Sequence, residues 1–269
     1  MKNNKLQLIL LIAFAITIGV SACDNANFSG EKTSADKNAT ADTLEGDNKL
    51  NEPATKDNAP ITGTLAGKIS HDELNLSDKA SCTFDRFPWS VEKFQELQAQ
   101  IATEPQGAVT MVLIAMEIYR KYPAIGEKCL FLTTTTNEHD PNNPGCMSKD
   151  RIIHRLNELL RRTDDSYARP YQVAAYLKGA NQQNGYIPEK PYTVEVEIMN
   201  STYEYNSKMD AKFMQYYVLT GGKDSGKDII RVIKPWDSEY FLVDNFPGLY
   251  SQVKELPGSK TWDDNMFIK

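Results

Sequence analysis

Histidine is nearly missing from this chain of 269 residues: only His71, His139 and His154 occur. Cysteine is also sparse, at Cys23, Cys82, Cys129 and Cys146. No two of these form the tight Cys/His pairs that zinc requires. No G-x-S-x-G elbow and no H-E-x-x-H helix is present, which removes the commonest signatures of serine hydrolases and zinc proteases. Basic excess is lacking too. The formal net charge is −6, so the chain carries no electrostatic footprint for nucleic acid. These gaps leave no catalytic constellation, and no cofactor is expected.

A long apolar run is lacking as well, and the one present is informative. Lys2 and Lys5 precede an apolar stretch from Leu8 to Val20, broken only by Thr17. That stretch is short for a transmembrane helix, which needs about 20 apolar residues, but it suits a signal-peptide core. It ends in Val20-Ser21-Ala22-Cys23. This tetrad resembles the bacterial lipobox. The resemblance implies cleavage before Cys23, a lipid on its thiol (diacylglycerol, with palmitate among the acyl chains) and a bilayer as the anchoring partner. The expected place is the extracytoplasmic side of the cell envelope, the periplasm in a Gram-negative cell. Two or three acyl chains anchor stably where one does not.

The expected organisation is a signal peptide over 1–22, a lipidated cysteine and tether over 23–68, and one α+β domain over 69–269. Asp24 to Pro60 is rich in Asn, Asp, Thr, Ala, Lys and Glu, a composition that cannot bury enough apolar surface to offset its ordering entropy. Further on, Val91, Phe94, Leu97 and Ile101 fall on one helical face. Ser90 is placed to cap that helix, and Pro105 and Gly107 to end it. Val109 to Tyr122 is apolar nearly all round, as in a buried helix. A third helix should follow Ser148, and a fourth should run from Pro170 to Gly179. Tyr192 to Ile198 alternates like a strand with one wet face. Residues 213–220, 229–234 and 240–244 are further strand candidates. Helices packed on a C-terminal antiparallel sheet of about four strands follow from this pattern.

Three cysteines remain for pairing outside the cytoplasm. Cys129 with Cys146 is the favoured bridge, because the two flank a Thr-, Asn- and Pro-rich stretch. Closing that loop would stabilise the fold by about 3 kcal/mol in the chain-entropy model. Inside the loop, His139, Asp140, Asn142 and Asn143 offer oxygen and nitrogen atoms without the spacing of a calcium loop. Gly221 to Lys227 satisfies G-x-x-x-x-G-K, but Asp228 stands where a P-loop has Ser or Thr, and the following residues read as a strand. A hairpin turn is the expectation. His154 should sit on a solvated helix face beside Asp150 and Glu158.

Arg169, Tyr171, Tyr176, Asn184 and Tyr186 are the candidate binding residues. They lie in a segment whose tyrosines alternate with Asn-Gly and Pro, giving several π-faces for an envelope protein or a glycan. The opposing expectation is that the same rings pack in the core. Arg-Pro-Tyr, Gly-Ala, Asn-Gly-Tyr and Pro-Tyr, with the later Gly-Gly-Lys-Asp-Ser-Gly, resemble an uncharacterised domain of bacterial secreted proteins and lipoproteins. The resemblance covers about Arg169 to Leu256 and implies no activity. The leading expectation is therefore a tethered, non-enzymatic binding or interaction module. A small-ligand pocket in a cone-like α+β fold similar to the nuclear-transport-factor-2-like type is the alternative, with an envelope hydrolase third.

One outcome follows from the leader. Cys23→Ser should move the protein from the membrane to the soluble fraction or stall its processing. Intact-mass spectrometry of the mature protein checks it, and an unmodified residue 23 in the wild type contradicts it.

Overall fold

The computed structural model describes residues 59–70, 75–162, 167–199, 204–207 and 210–268, all within one compact unit, Gly46–Lys269. Cys23, His71 and the expected tether as far as residue 58 lie outside the described residues. The chain is mixed α+β. Strand β1 (Gly63–Lys68) and strand β2 (Lys79–Phe84) come first, then helices α1 (Val91–Ile101), α2 (Pro105–Lys121) and α3 (Pro123–Thr133). A helical segment wound mostly in wide turns follows, with α4 (His154–Leu156) at its middle. Strands β3 (Tyr192–Ile198), β4 (Glu204–Asn206), β5 (Ala211–Leu219), β6 (Lys227–Ile233) and β7 (Leu242–Asn245) complete the sheet.

The sheet is antiparallel throughout, with six strands in the order β1-β2-β3-β5-β6-β7 and β4 pairing the start of β5. About four strands were expected, and the two N-terminal ones were missed. β1 also lies inside the expected tether: Ile61 and Ile69 are buried on either side of it, so the folded unit starts before residue 69. β1 is an edge strand whose residues are mostly exposed, so it lacks the alternation that marks a half-buried strand. In β2 the inward positions are Ala80, Cys82 and Phe84. Two of these are small, and the pattern is faint.

Helix α1 forms as its sequence dictates. The Ser90 hydroxyl accepts from the Lys93 amide at 3.2 Å, and Phe94, Leu97 and Ile101 are buried. Pro105 opens α2 instead of closing α1. It occupies the first helical turn, where its missing N–H costs nothing. α2 is buried from Pro105 to Arg120, and its side chains share one core with Val194, Tyr216 and Val232 of the sheet. Ile152, Leu156, Leu159 and Leu160 of the wide-turn segment also point into this core. His154 stays largely exposed, 3.5 Å from Glu158, the solvated face expected of it.

Cys129 is a free, buried thiol, as is Cys82. The expected Cys129–Cys146 bridge is therefore not formed. Loop 140–146 is instead held as a hairpin: Asp140 N–H donates to the Cys146 carbonyl (2.9 Å) and His139 bridges Met147. Asp140 accepts from Asn142 N–H at 2.8 Å and from Asn143 Nδ2 at 2.6 Å, so this loop satisfies its own oxygen atoms. Burial pushes the Cys129 thiol far above its ordinary range, which leaves it a poor nucleophile.

Two charges enter the core on α2. Glu117 is fully buried and accepts from Arg120 Nε at 3.0 Å and Nη2 at 2.7 Å. Burial raises the Glu117 carboxyl and the Arg120 guanidinium opposes that rise. Arg120 also bonds the Asp264 carboxylate, and Lys121 Nζ reaches the same residue at 2.8 Å, latching the C-terminal tail onto α2. Removing one member of a buried pair costs about 3–5 kcal/mol, whereas replacing both by apolar groups is often neutral. Arg120→Leu should accordingly lower the urea midpoint steeply, and Glu117→Leu/Arg120→Leu should recover much of the loss. A double variant less stable than Arg120→Leu would contradict the uncompensated-charge account.

Candidate functional site

Of the five residues expected to bind, Arg169, Tyr171 and Tyr186 bond the protein's own C-terminal segment, while Tyr176 bonds β6 and Asn184 its own loop. Tyr171, Tyr176 and Tyr186 are all buried. Tyr171 and Tyr186 stack with ring centres 5.0 Å apart. Tyr186 Oη donates to the Lys254 carbonyl at 2.7 Å, and Tyr171 Oη accepts from the Leu256 amide at 3.1 Å. Tyr176 Oη donates to Asp228 Oδ2 at 2.5 Å. Arg169 Nε donates to the Val253 carbonyl at 3.0 Å, and its Nη2 to Glu255 at 2.9 Å. Asn184 turns inward on its own loop, donating to the Gly179 and Ile187 carbonyls. No ring of the three is offered to solvent, so the aromatic binding surface expected here is corrected to a clamp. The core reading of these tyrosines holds.

The same clamp explains why Pro170 to Gly179 is not a helix. Only Ala174–Tyr176 makes a short 3-10 turn. The Ala175 carbonyl accepts instead from Gly221 N–H at 3.0 Å and from Thr220 Oγ1 at 2.8 Å. The turn between β5 and β6 is thereby pulled against residues 175–181. A Cβ on Gly221 would fall 2.1 Å from the Ala180 carbonyl oxygen, and one on Gly222 would fall 2.7 Å from Val253. Glycine is needed here for close approach, and the loop carries no phosphate-binding geometry: β6 follows it, as expected, and not a helix N-terminus. Lys223 Nζ bonds Asp228 at 2.7 Å and the Gly248 carbonyl at 3.0 Å, beside Ser251 Oγ at 2.5 Å. With carboxylate and carbonyl both accepting from it, the amine serves as a donor and is badly placed to take a proton from Ser251.

Among the described residues, three of the open depressions are large enough to be weighed. One, of about 300 Å³, is walled largely by backbone at Gly179–Asn181 and Gly221, with Lys178 and Glu195 paired at 3.6 Å across it. A second, of about 670 Å³, lies on the outer face of β5 and β6. The Tyr217 ring that lines it is already occupied, with Lys227 Nζ 3.8 Å from the ring centre, and Arg231 turns to the Phe213 ring at 4.5 Å. Arg231 is also paired with buried Asp244 at 2.5 Å.

The third is different. A cleft of about 690 Å³ lies at the far end of the β5–β6 ladder, lined by Trp236, Tyr205, Phe241, Lys68, Lys212 and Lys234 among others. Glu104, Asp210, Ser70, Thr103 and Ser238 add oxygen atoms to its walls. Trp236 is 74% exposed and Tyr205 61%. Local chemistry fixes both. Pro235 to Ser238 is a tight turn closed by Ser238 N–H to the Pro235 carbonyl at 3.1 Å, with buried Pro235 as its root and Trp236 next at the tip. The Ser238 hydroxyl then donates to the Tyr240 carbonyl at 2.8 Å, and Phe241 N–H ties the exit to Ala102 at 2.8 Å. Tyr205 pairs across β4–β5 with Lys212, and its hydroxyl bonds Asp210.

Sequence reasoning missed this cleft. Full burial of a large apolar side chain is worth roughly 1.5–3 kcal/mol, and Trp236 forgoes most of it. A tryptophan inside turn chemistry, Pro-Trp-Asp-Ser, was the available signal. Among the described residues no group of three His, Cys, Asp or Glu side chains is placed to hold a metal ion, and no helix is long and apolar enough to cross a membrane.

A family model described as Domain of unknown function (DUF6935) matches residues 86–257, well over half of the chain. No curated protein and no solved structure matches it.

The clamp generates its own test. Tyr186→Ala should cost about 3 kcal/mol or more, as for buried aromatics. In a domain of this size that lowers Tm by roughly 6–12 °C. Scanning calorimetry checks it, and a Tm within a degree of wild type contradicts the burial.

Proposed function

The chain belongs to the DUF6935 family, and from that premise, which assigns no chemistry, we propose that its folded unit is a non-enzymatic binding module. In this reading Cys23 is lipidated and holds the module at a membrane on the extracytoplasmic side of the cell envelope. The ligand sits in the Trp236 cleft. The single observation that carries the reading is an indole three-quarters exposed at the tip of a proline-rooted turn, on the wall of a cleft of about 690 Å³. Ordinary small-ligand sites have volumes of about 300–1,000 Å³ and combine apolar walls with a few polar groups. Exposed aromatic faces beside such groups are what recognition uses and what stability does not need.

A binding role is favoured over hydrolysis because Ser251, a serine with an amine at hydrogen-bond distance, shares that amine with Asp228 and Gly248. An activated nucleophile needs a base free to take its proton.

The test uses a Cys23→Ser chain, so that lipid does not mask the result. Co-sedimentation with isolated, delipidated envelope fragments should fall at least tenfold on Trp236→Ala, while Tm stays within about a degree because exposed substitutions rarely exceed ±0.5 kcal/mol. Undiminished sedimentation of the Trp236→Ala protein would overturn the assignment of the cleft.

A further inference from the structure

We infer that the outer edge of β1 at Leu65 takes an extended segment of a partner protein as an added antiparallel strand, with an apolar side chain opposite Leu65. The inference concerns a second surface and does not depend on the Trp236 cleft.

β1 ends the sheet, and among the described residues it has β2 on one side and no strand on the other. In an antiparallel pair, alternate residues turn their N–H and C=O toward the neighbour and the rest turn theirs away. Asp85 N–H donates to the Thr62 carbonyl at 3.2 Å, and the register pairs Thr64 with Thr83, Leu65 with Cys82 and Ala66 with Ser81. Thr62, Thr64 and Ala66 therefore face β2, and Ile61, Gly63 and Leu65 face outward.

Helix α1 guards part of this edge. Glu96 Oε1 accepts from Ile61 N–H at 3.1 Å, Gln100 Nε2 donates to the Ile61 carbonyl at 2.9 Å, and Gln100 Oε1 accepts from Gly63 N–H at 3.1 Å. The guard stops there: among the described residues no bond meets the Leu65 N–H or C=O on the outward side. Edge strands are ordinarily blunted by charge, proline or a cover, and Gly63-Thr64-Leu65-Ala66 carries neither charge nor proline. The Leu65 side chain lies half-buried against the core, on the same face as buried Cys82, and Thr64 and Ala66 are exposed on the other face. A strand paired here sets the residue opposite Leu65 on the core side. An apolar residue at that position completes the cover of Leu65, and its two neighbours face water. Main-chain bonds supply affinity and the alternate side chains supply specificity, as in other strand additions.

The occupant is a short segment and not a second copy of this chain. Gly67 has φ +75°, which turns β1 off the extended line, so the open edge runs only from Gly63 to Gly67. At about 3.4 Å per residue that is roughly 14 Å, and an edge about 10 Å thick then buries on the order of 150 Å² on each side. A stable pair of folded proteins buries about 800 Å² per partner. Self-pairing centred on Leu65 would also set the bend at Gly67 of one copy against the α1-guarded Gly63 of the other. A lone strand of about five residues matches the open length and makes both bonds at Leu65.

The experiment uses the full chain in detergent, amide hydrogen exchange read at single residues, and short capped peptides of alternating threonine and valine. With excess peptide, exchange at the Leu65 amide should slow at least tenfold, while the Gly63 amide, already bonded to Gln100, changes less than twofold. N-methylation of the valines, whose backbone groups would face Leu65, should abolish the protection, and N-methylation of the threonines should leave it. Glutamate in place of valine should abolish it as well. Absence of slowing at Leu65 with the parent peptide overturns the inference, as does protection that survives methylated valines or the glutamate peptide. Slowing that rises with protein concentration alone, with a dimer mass in sedimentation, overturns it in favour of a second copy.

Discussion

One buried amide holds the C-terminal half of this domain in register. Gln172 is fully buried, and its Nε2 donates to the Leu249 carbonyl at 2.9 Å and the Ser251 carbonyl at 2.8 Å, while its Oε1 accepts from Val253 N–H at 3.1 Å. Three backbone groups of an irregular segment, which has no strand partner there to satisfy them, find their bonds in one side chain. Leaving any of them unmet would cost about 1–3 kcal/mol. Around that contact the flanking residues follow in order. Arg169 takes the Val253 carbonyl, Tyr186 takes that of Lys254, and Lys254 N–H reaches the Gly222 carbonyl at 2.8 Å. The glycine pair between β5 and β6 is the geometric price of three chain segments meeting within van der Waals contact.

The clamp sits at one end of the β5–β6 ladder and the Trp236 cleft at the other. Eight steps of strand at 3.4 Å put them roughly 27 Å apart. The register Phe213↔Ile233 to Leu219↔Lys227 runs unbroken between them. One end is held by many internal bonds, with its tyrosine rings buried. The other leaves a tryptophan and a tyrosine in water. In the proposed reading, stability and recognition fall at opposite ends of the same pair of strands, and the most distinctive segment of the sequence is not where the ligand is placed.

Much of the frame was legible. Ser90 marks the start of α1, the alternation from Tyr192 to Ile198 marks β3, and Asp228 with the strand after it marks the glycine-rich run as a turn. β1 escaped because an edge strand of Gly, Thr, Leu, Ala, Gly and Lys buries too little to show a period, and α3 because Pro123 reads as a stop when it is a first helical residue. The tyrosines misled for a different reason. Asn-Gly and Pro around aromatic residues describe a loop correctly, but only tertiary contact decides whether a loop's rings face out or in. Trp236 drew no reading from the sequence, and the turn at Pro235 puts it outside. The Cys129–Cys146 bridge failed because spacing along the chain says nothing of where α3 buries Cys129.

The central claim is that ligand meets the exposed indole and leaves the clamped segment untouched. Indole Nε1–H resonances of ¹⁵N-tryptophan-labelled protein test this most directly, since Trp89 and Trp262 pack against the core and serve as internal references. During titration with solubilised, delipidated envelope fragments the Trp236 resonance should move while those of Trp89 and Trp262 stay fixed. A stationary Trp236 signal, with Trp262 beside Tyr171 moving instead, would place the ligand at the clamp and contradict the account.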